Sequence, residues 1–161
     1  LVAEASRRGW IEGCSLRLPG VLARPPARTG QLSAFMSDLI RELAAGRPFT
    51  CPTSPEATVW IASRACTIDN LIHAAQADPA RLHGPGGMRA FTLPVQRVSM
   101  AELAQACGQA FGTAGAGLVS WAPDARIEAL FGRQPPVRTP AAEAAGFRHD
   151  GDLQTLVRLA C

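Results

Sequence analysis

Short stretches suited to β-strands alternate with stretches of helical period along this chain, and that order restricts the fold more than any other feature. Residues 1–8 read as the last turns of a helix that stops at Gly9, with Arg7 and Arg8 at its negative end. Cys14-Ser15-Leu16-Arg17-Leu18 alternates as a strand does and ends at Pro19-Gly20. After the loop 21–29, the apolar residues Leu32, Phe35, Met36, Leu39, Ile40 and Leu43 recur in steps of three and four, so 31–45 is predicted helical, with Gly46 closing it. Phe49-Thr50-Cys51 and Thr58-Val59-Trp60-Ile61 are strand candidates. Ile68, Leu71, Ile72 and Ala75 mark another helix, with Ser63 or Thr67 as its N-cap. A loop over 78–87 leads to the strand candidate Ala90–Leu93. Ser99 and Glu102 form a capping box for a helix running to about Phe111. Leu118–Trp121 is a last strand candidate, and short helices are expected at 124–131, 139–145 and 152–160. The pattern is that of an α/β protein.

Several function classes are disfavoured by composition. The net charge of +3 is too small for the dense basic face that nucleic-acid binding needs. No apolar run approaches the roughly 20 residues of a membrane span, and no signal peptide is visible. The five cysteines, at 14, 51, 66, 107 and 161, show no zinc-ligand spacing. They are expected to be buried or idle thiols of a reducing cytoplasm. The histidines at 73, 83 and 149 are expected at the surface, and no metal site is predicted. The chain begins at Leu1, and a helix starting there without a cap is expected of a segment cut from a longer protein.

Three stretches carry a resemblance to a known family. Ser6-Arg7-Arg8-Gly9 followed by Leu16-Arg17-Leu18-Pro19-Gly20-Val21 resembles the helix after the catalytic Tyr-x-x-x-Lys motif and the sixth sheet strand of extended short-chain dehydrogenase/reductases, the NAD-dependent epimerase/dehydratase family. Phe35–Glu42 through Thr58–Ser63 resembles the helix and strand pair that line the family's substrate site. Trp121-Ala122-Pro123-Asp124-Ala125-Arg126-Ile127-Glu128-Ala129-Leu130 and Ala144-Ala145-Gly146-Phe147 resemble its closing segment. Within the superfamily the resemblance runs to D-erythronate dehydrogenases, through Ser-Arg-Arg-Gly and Pro-Asp-x-Arg-Ile-Glu-Ala.

The resemblance implies the C-terminal part of an NAD(P)-binding, Rossmann-like fold. Residues 1–30 and 62–98 would end the sheet, while 31–61 and 99–161 would form a substrate-binding region. It implies NAD as cofactor, NADP not being excluded, and a small sugar acid as substrate. One departure bears on substrate. Sugar-nucleotide epimerases usually place an arginine just before the second strand to hold a phosphate, and here Thr58 stands there. A neutral residue argues against a nucleotide sugar, because phosphate favours a bidentate guanidinium.

A second departure bears on chemistry. The family's tyrosine and lysine have no counterpart, since the chain contains no tyrosine and all sixteen of its basic residues are arginine. Arginine does not deprotonate and cannot replace the base. The chain alone is therefore expected to be inactive and to hold no catalytic residue.

Pro19, Gly20 and Val21 are the cofactor-contact candidates the resemblance implies, because glycine lets the backbone approach a ligand. On the residues alone they are equally an ordinary turn. Arg24 is a candidate for a substrate carboxylate, or else a solvated loop residue. Ser33 and Ser37 are candidates to face a polyol, and Ser63 and Arg64 are polar-ligand candidates at the turn after the second strand. Trp60 reads as core, and Asp124, Arg126 and Glu128 as a solvated helix face.

Two other classes remain beside the enzyme fragment. One is a nucleotide-sugar epimerase fragment; the other is a redox-dead dinucleotide sensor or interaction module. The resemblance implies that Ser15–Leu18 lies beside Ala90–Leu93 with its other edge unpaired, which predicts a homo-oligomer.

Overall fold

The computed structural model describes residues 1–22, 30–112 and 114–160. Seven helices and seven strands follow one another within them. Helix α1 (Val2–Arg7) precedes strands β1 (Ser15–Arg17) and β2 (Gly20–Val21). Helix α2 (Phe35–Ala44) is entered from a 3₁₀ turn at Leu32–Ala34, and β3 (Phe49–Cys51) and β4 (Thr58–Ala62) come next. Helix α3 (Arg64–Gln76), β5 (Ala90–Thr92), β6 (Gln96–Ser99) and α4 (Met100–Phe111) form the middle of the chain. Strand β7 (Val119–Trp121) and helices α5 (Ala125–Phe131), α6 (Pro140–Ala144) and α7 (Leu153–Leu159) complete it.

The helix ends follow local chemistry. Ser63 caps α3, its hydroxyl accepting from the Cys66 amide at 3.0 Å. Thr67, the other candidate, lies inside the helix and donates to the Ser63 carbonyl at 2.8 Å. At α4 both halves of the capping box form, and Gly112 ends the helix in the left-handed conformation at φ 64°. Asp124 and Asp152 cap α5 and α7.

Three small sheets result. β1 pairs parallel with β5, Ser15 opposite Ala90. β2 pairs parallel with β4, which pairs antiparallel with β6. β3 pairs parallel with β7, Phe49 opposite Val119. β6 was not expected, because Gln96-Arg97-Val98-Ser99 holds a single large apolar residue and sits between a proline and a helix cap. The chain passes from one sheet into the next at Leu18-Pro19 and again across Leu93–Val95, so β1 and β5 leave together and β2 and β6 flank β4.

Two apolar cores lie on either side of these crossings. The larger gathers Phe35, Leu39, Ile40 and Leu43 of α2 with Val59 and Ile61 of β4, Leu103 and Cys107 of α4, and Leu156 and Val157 of α7. The smaller joins Leu82, Phe91 and Leu93 to Ala142, Ala145 and Phe147. Residues 139–150 thus return to β5 and α3 rather than staying with the rest of the C-terminal segment.

Helix α3 turns its apolar residues outward. Ile68, Leu71 and Ile72 are 45–47% exposed, while Thr67 and Asn70 are its buried side chains. The inward face is held by polar bonds. Asn70 donates to the Arg148 carbonyl at 2.8 Å and accepts from the Arg148 amide at 3.0 Å. His73 was expected at the surface. Instead it is half-buried, donates from Nε2 to the Ala145 carbonyl at 2.9 Å and stacks edge-on against Phe147. Among the described residues no helix is long and apolar enough to cross a membrane.

Candidate functional site

The crossing at Leu18-Pro19 opens a cavity of about 330 Å³ between β2, β4, the 3₁₀ turn before α2, and the end of α5. Pro19, Gly20, Met36 and Val59 line it, with the rings of Trp60 and Phe131 and the polar side chains of Ser33 and Gln134. It is largely apolar with a few polar groups, the usual make-up of a small-molecule site.

At Gly20 the backbone of β2 approaches that of β4 closely. A Cβ built there would stand 2.9 Å from the Trp60 carbonyl oxygen and 3.2 Å from Met36 Cε. Only glycine lets β2 lie that near to β4. Trp60 is fixed at its other end, where its indole donates to the Pro135 carbonyl at 2.8 Å. It was expected in the core, yet it is half-buried and lines the cavity, while its β4 neighbours Val59 and Ile61 are buried.

The sequence candidates separate into three groups. Pro19, Gly20 and Ser33 line the cavity, and Val21, although adjacent, does not. Ser37 lies one turn beyond Ser33 and is 4% exposed, with its hydroxyl unpartnered. Ser63 and Arg64 stand elsewhere. Ser63 is fully buried, its hydroxyl used as the α3 cap and its amide donating to Asp150 Oδ2 at 3.0 Å. Arg64 is exposed in the first turn of α3, away from the cavity. Neither residue lines the cavity, and the hydroxyl of Ser63, directly after a strand, serves a helix end. Arg24 falls outside the described residues.

Trp60, Phe131 and Gln134 are among the cavity residues that the sequence does not single out as site candidates, as are Leu18, Met36 and Val59. Glu128 was read as solvated. Its carboxylate accepts from the Ser54 amide at 2.8 Å and the Ser54 hydroxyl at 2.7 Å, which ties α5 to the turn after β3.

A second cavity, of about 440 Å³, lies between α3 and residues 146–150. Its polar lining belongs mainly to the seam that docks the C-terminal segment, as Asn70 and Asp150 show. Burial, then the charges of Asp150 and Asp69, push the Cys66 thiol there up to about 11, so it stays protonated and is no nucleophile at neutral pH. Burial likewise raises Cys14 and Cys51. Among the described residues no group of histidine, cysteine, aspartate or glutamate could hold a metal ion.

No family model matches the chain. Curated proteins do. D-erythronate dehydrogenase from Cupriavidus necator is 32% identical over 159 residues, covering 98% of this chain and 48% of that protein. D-erythronate dehydrogenase from Haemophilus influenzae is 27% identical over 161 residues, covering 98% of this chain and 50% of that protein. The chain thus spans about half the length of the curated relatives it matches. Among solved structures, a nucleoside-diphosphate-sugar epimerase from Agrobacterium tumefaciens superposes with a TM-score of 0.85 at 24% identity, over 98% of this chain and 46% of that one. L-threonine dehydrogenase from Phytophthora infestans gives 0.79 at 16% identity, over 99% and 50%. These structural likenesses speak to fold.

Fold and relatives together give the chain the Rossmann-like α/β architecture of these epimerase and dehydrogenase structures, over about half the length of each. Within that class its sequence is similar to the D-erythronate dehydrogenases.

Proposed function

We propose that this chain is the substrate-facing half of a nicotinamide-dependent sugar-acid dehydrogenase. The observation that carries the reading is the single cavity joining the Pro19-Gly20 turn to Ser33, Trp60 and Gln134. The residues fit the reactive end of a nicotinamide dinucleotide: a backbone with no side chain at Gly20 and an apolar lining. The cofactor, NAD or NADP, would supply the hydride acceptor. Ser33 and Gln134 would hold substrate hydroxyls, and Trp60 and Phe131 would exclude water. The similarity to D-erythronate dehydrogenases supports a four-carbon sugar acid as substrate.

The chain's own residues bind and orient, and among the described residues none of those lining the cavity is a carboxylate, histidine, tyrosine or lysine that could act as base. The chain has no tyrosine or lysine, its arginines do not deprotonate, and Cys66 stays a thiol. We therefore expect the isolated chain to leave NADH absorbance flat with any sugar acid. The full-length gene product should reduce NAD with D-erythronate and leave UDP-hexoses untouched. Measurable NAD reduction by the isolated chain would overturn the division of labour. Faster conversion of a UDP-hexose would favour a nucleotide-sugar epimerase instead.

A further inference from the structure

Residues 132–135 follow α5 and run alongside β4. Their backbone pairs with it: the Thr58 amide donates to the Gly132 carbonyl at 2.8 Å, and the Gln134 amide to the Thr58 carbonyl at 3.0 Å. Side chains add to this. The Thr58 hydroxyl donates to the Gln134 carbonyl at 3.1 Å, and the Trp60 indole to the Pro135 carbonyl at 2.8 Å. Arg97 reaches over from β6, its Nε donating to the same Gln134 carbonyl at 2.7 Å and its Nη2 to the Thr58 hydroxyl at 3.3 Å. Arg97 stands directly opposite Trp60 in the antiparallel register, so both side chains leave the same face of the sheet.

We propose that Arg97 is a positioning residue that fixes the size of the cavity. With Thr58 and Trp60 it bolts the Gln134-Pro135 segment beside β4, so that the cavity admits a short polyhydroxy acid and excludes a sugar carrying a nucleotide. The proposal takes its substrate class from the function proposed above; its geometry stands apart from that reading. Two features support it. The guanidinium spends Nε and Nη2 on neutral oxygens of the segment and the strand. A phosphate is best gripped by an open guanidinium fork, and this fork is already engaged. Thr58, at the place where a phosphate-holding arginine would be expected, is likewise tied into the wall. Gly20 completes the clamp, since its missing Cβ lets β2 press on the Trp60 backbone while Pro135 holds the indole. Neither edge of Trp60 is then free to swing aside for a larger ligand.

The test uses the full-length protein carrying this chain, with Arg97→Ala, Arg97→Lys and Thr58→Val. Amide hydrogen exchange at Gln134 reads the bolt directly and needs no activity. Loss of a hydrogen bond from a charged donor should speed that exchange by about tenfold or more in Arg97→Ala. Lysine should restore most of the protection, and Thr58→Val should move it in the same direction by less. In steady-state kinetics, Arg97→Ala should raise KM for D-erythronate by a larger factor than it lowers kcat, and UDP-hexose should become a competitive inhibitor. Wild-type exchange at Gln134 in Arg97→Ala would overturn the bolt. Faster exchange with unchanged KM and no UDP-hexose inhibition would overturn its control of cavity size. If the unaltered protein acts on neither substrate class, the proposed function fails, while the exchange data still decide whether Arg97 holds the segment.

Discussion

A methyl group at position 20 would bring β2 against the carbonyl of Trp60. Gly20→Ala places a Cβ 2.9 Å from that oxygen, and the backbone on both sides is held in a sheet. We expect a loss of about 1–3 kcal/mol in stability, the usual cost of overpacking, seen as a lower denaturation midpoint in urea. Cys66 gives a second prediction. With its thiol held up to about 11 in the folded chain, against an ordinary 9.0, the unfolded state ionises first as pH rises. Its contribution to stability is therefore lost between about pH 9 and 11, and its alkylation by iodoacetamide, followed by mass spectrometry, should stay slow until that range. Rapid labelling at pH 8 would contradict this. Of the residues that line the cavity, Pro19, Gly20 and Ser33 are singled out in the sequence as site candidates. Trp60 is not, because strand alternation gives parity without saying which face a neighbour covers. Gln134 precedes two prolines and reads locally only as loop. Ser63 carries two readings in the sequence, helix cap and ligand candidate, because a polar residue after a strand looks the same in either role; its hydroxyl caps α3.

The helices show how polar contacts can outweigh apolar ones. In α3, Asn70 pairs with both backbone groups of Arg148, while Leu71 beside it is 45% exposed. Asn70→Ala should cost about 1–3 kcal/mol by stranding a buried amide and carbonyl, and Leu71→Ala less than about 0.5 kcal/mol. Thermal unfolding of the two variants distinguishes them, and the reverse order would mean that α3 is held by its apolar face. In α4, Ser99→Ala should cost about 1 kcal/mol through loss of the capping box. Backbone and side-chain bonds from Ser99 hold the Glu102 carboxyl below its usual range. That stabilisation is complete above about pH 4.5 and disappears as acid protonates Glu102, so the wild-type advantage over Ser99→Ala should narrow at low pH. Caps were readable because they are local: Ser99 with Glu102, and Ser63 after a strand. The direction in which α3 faces was not, since its apolar spacing marks a helix and leaves open which stripe meets the protein.

Across the whole molecule, β1 is paired on one side only among the described residues. Leu18, which follows it in the chain, is 48% exposed, and Trp10 and Ile11, which precede it, are 69% and 46% exposed. An open strand edge flanked by apolar side chains favours association, so we propose that the isolated chain forms homo-oligomers. Light scattering on dilute protein should give a mass above 17.0 kDa, and a well-folded monomer would refute the proposal. Strand pairing at this distance was legible only through family resemblance, which set Ser15–Leu18 beside Ala90–Leu93; β3 with β7 was not foreseen. These pairings also govern how the chain comes off the ribosome. Among the described residues no sheet is closed by a tight hairpin between successive strands: β1 waits for β5, and β3 waits for β7. Such non-local contacts fold slowly and expose partly formed species. A nascent chain halted before Val119 would carry β3 without its partner, so stalled or truncated products should be captured by chaperones or aggregate, whereas the completed chain can bury that edge.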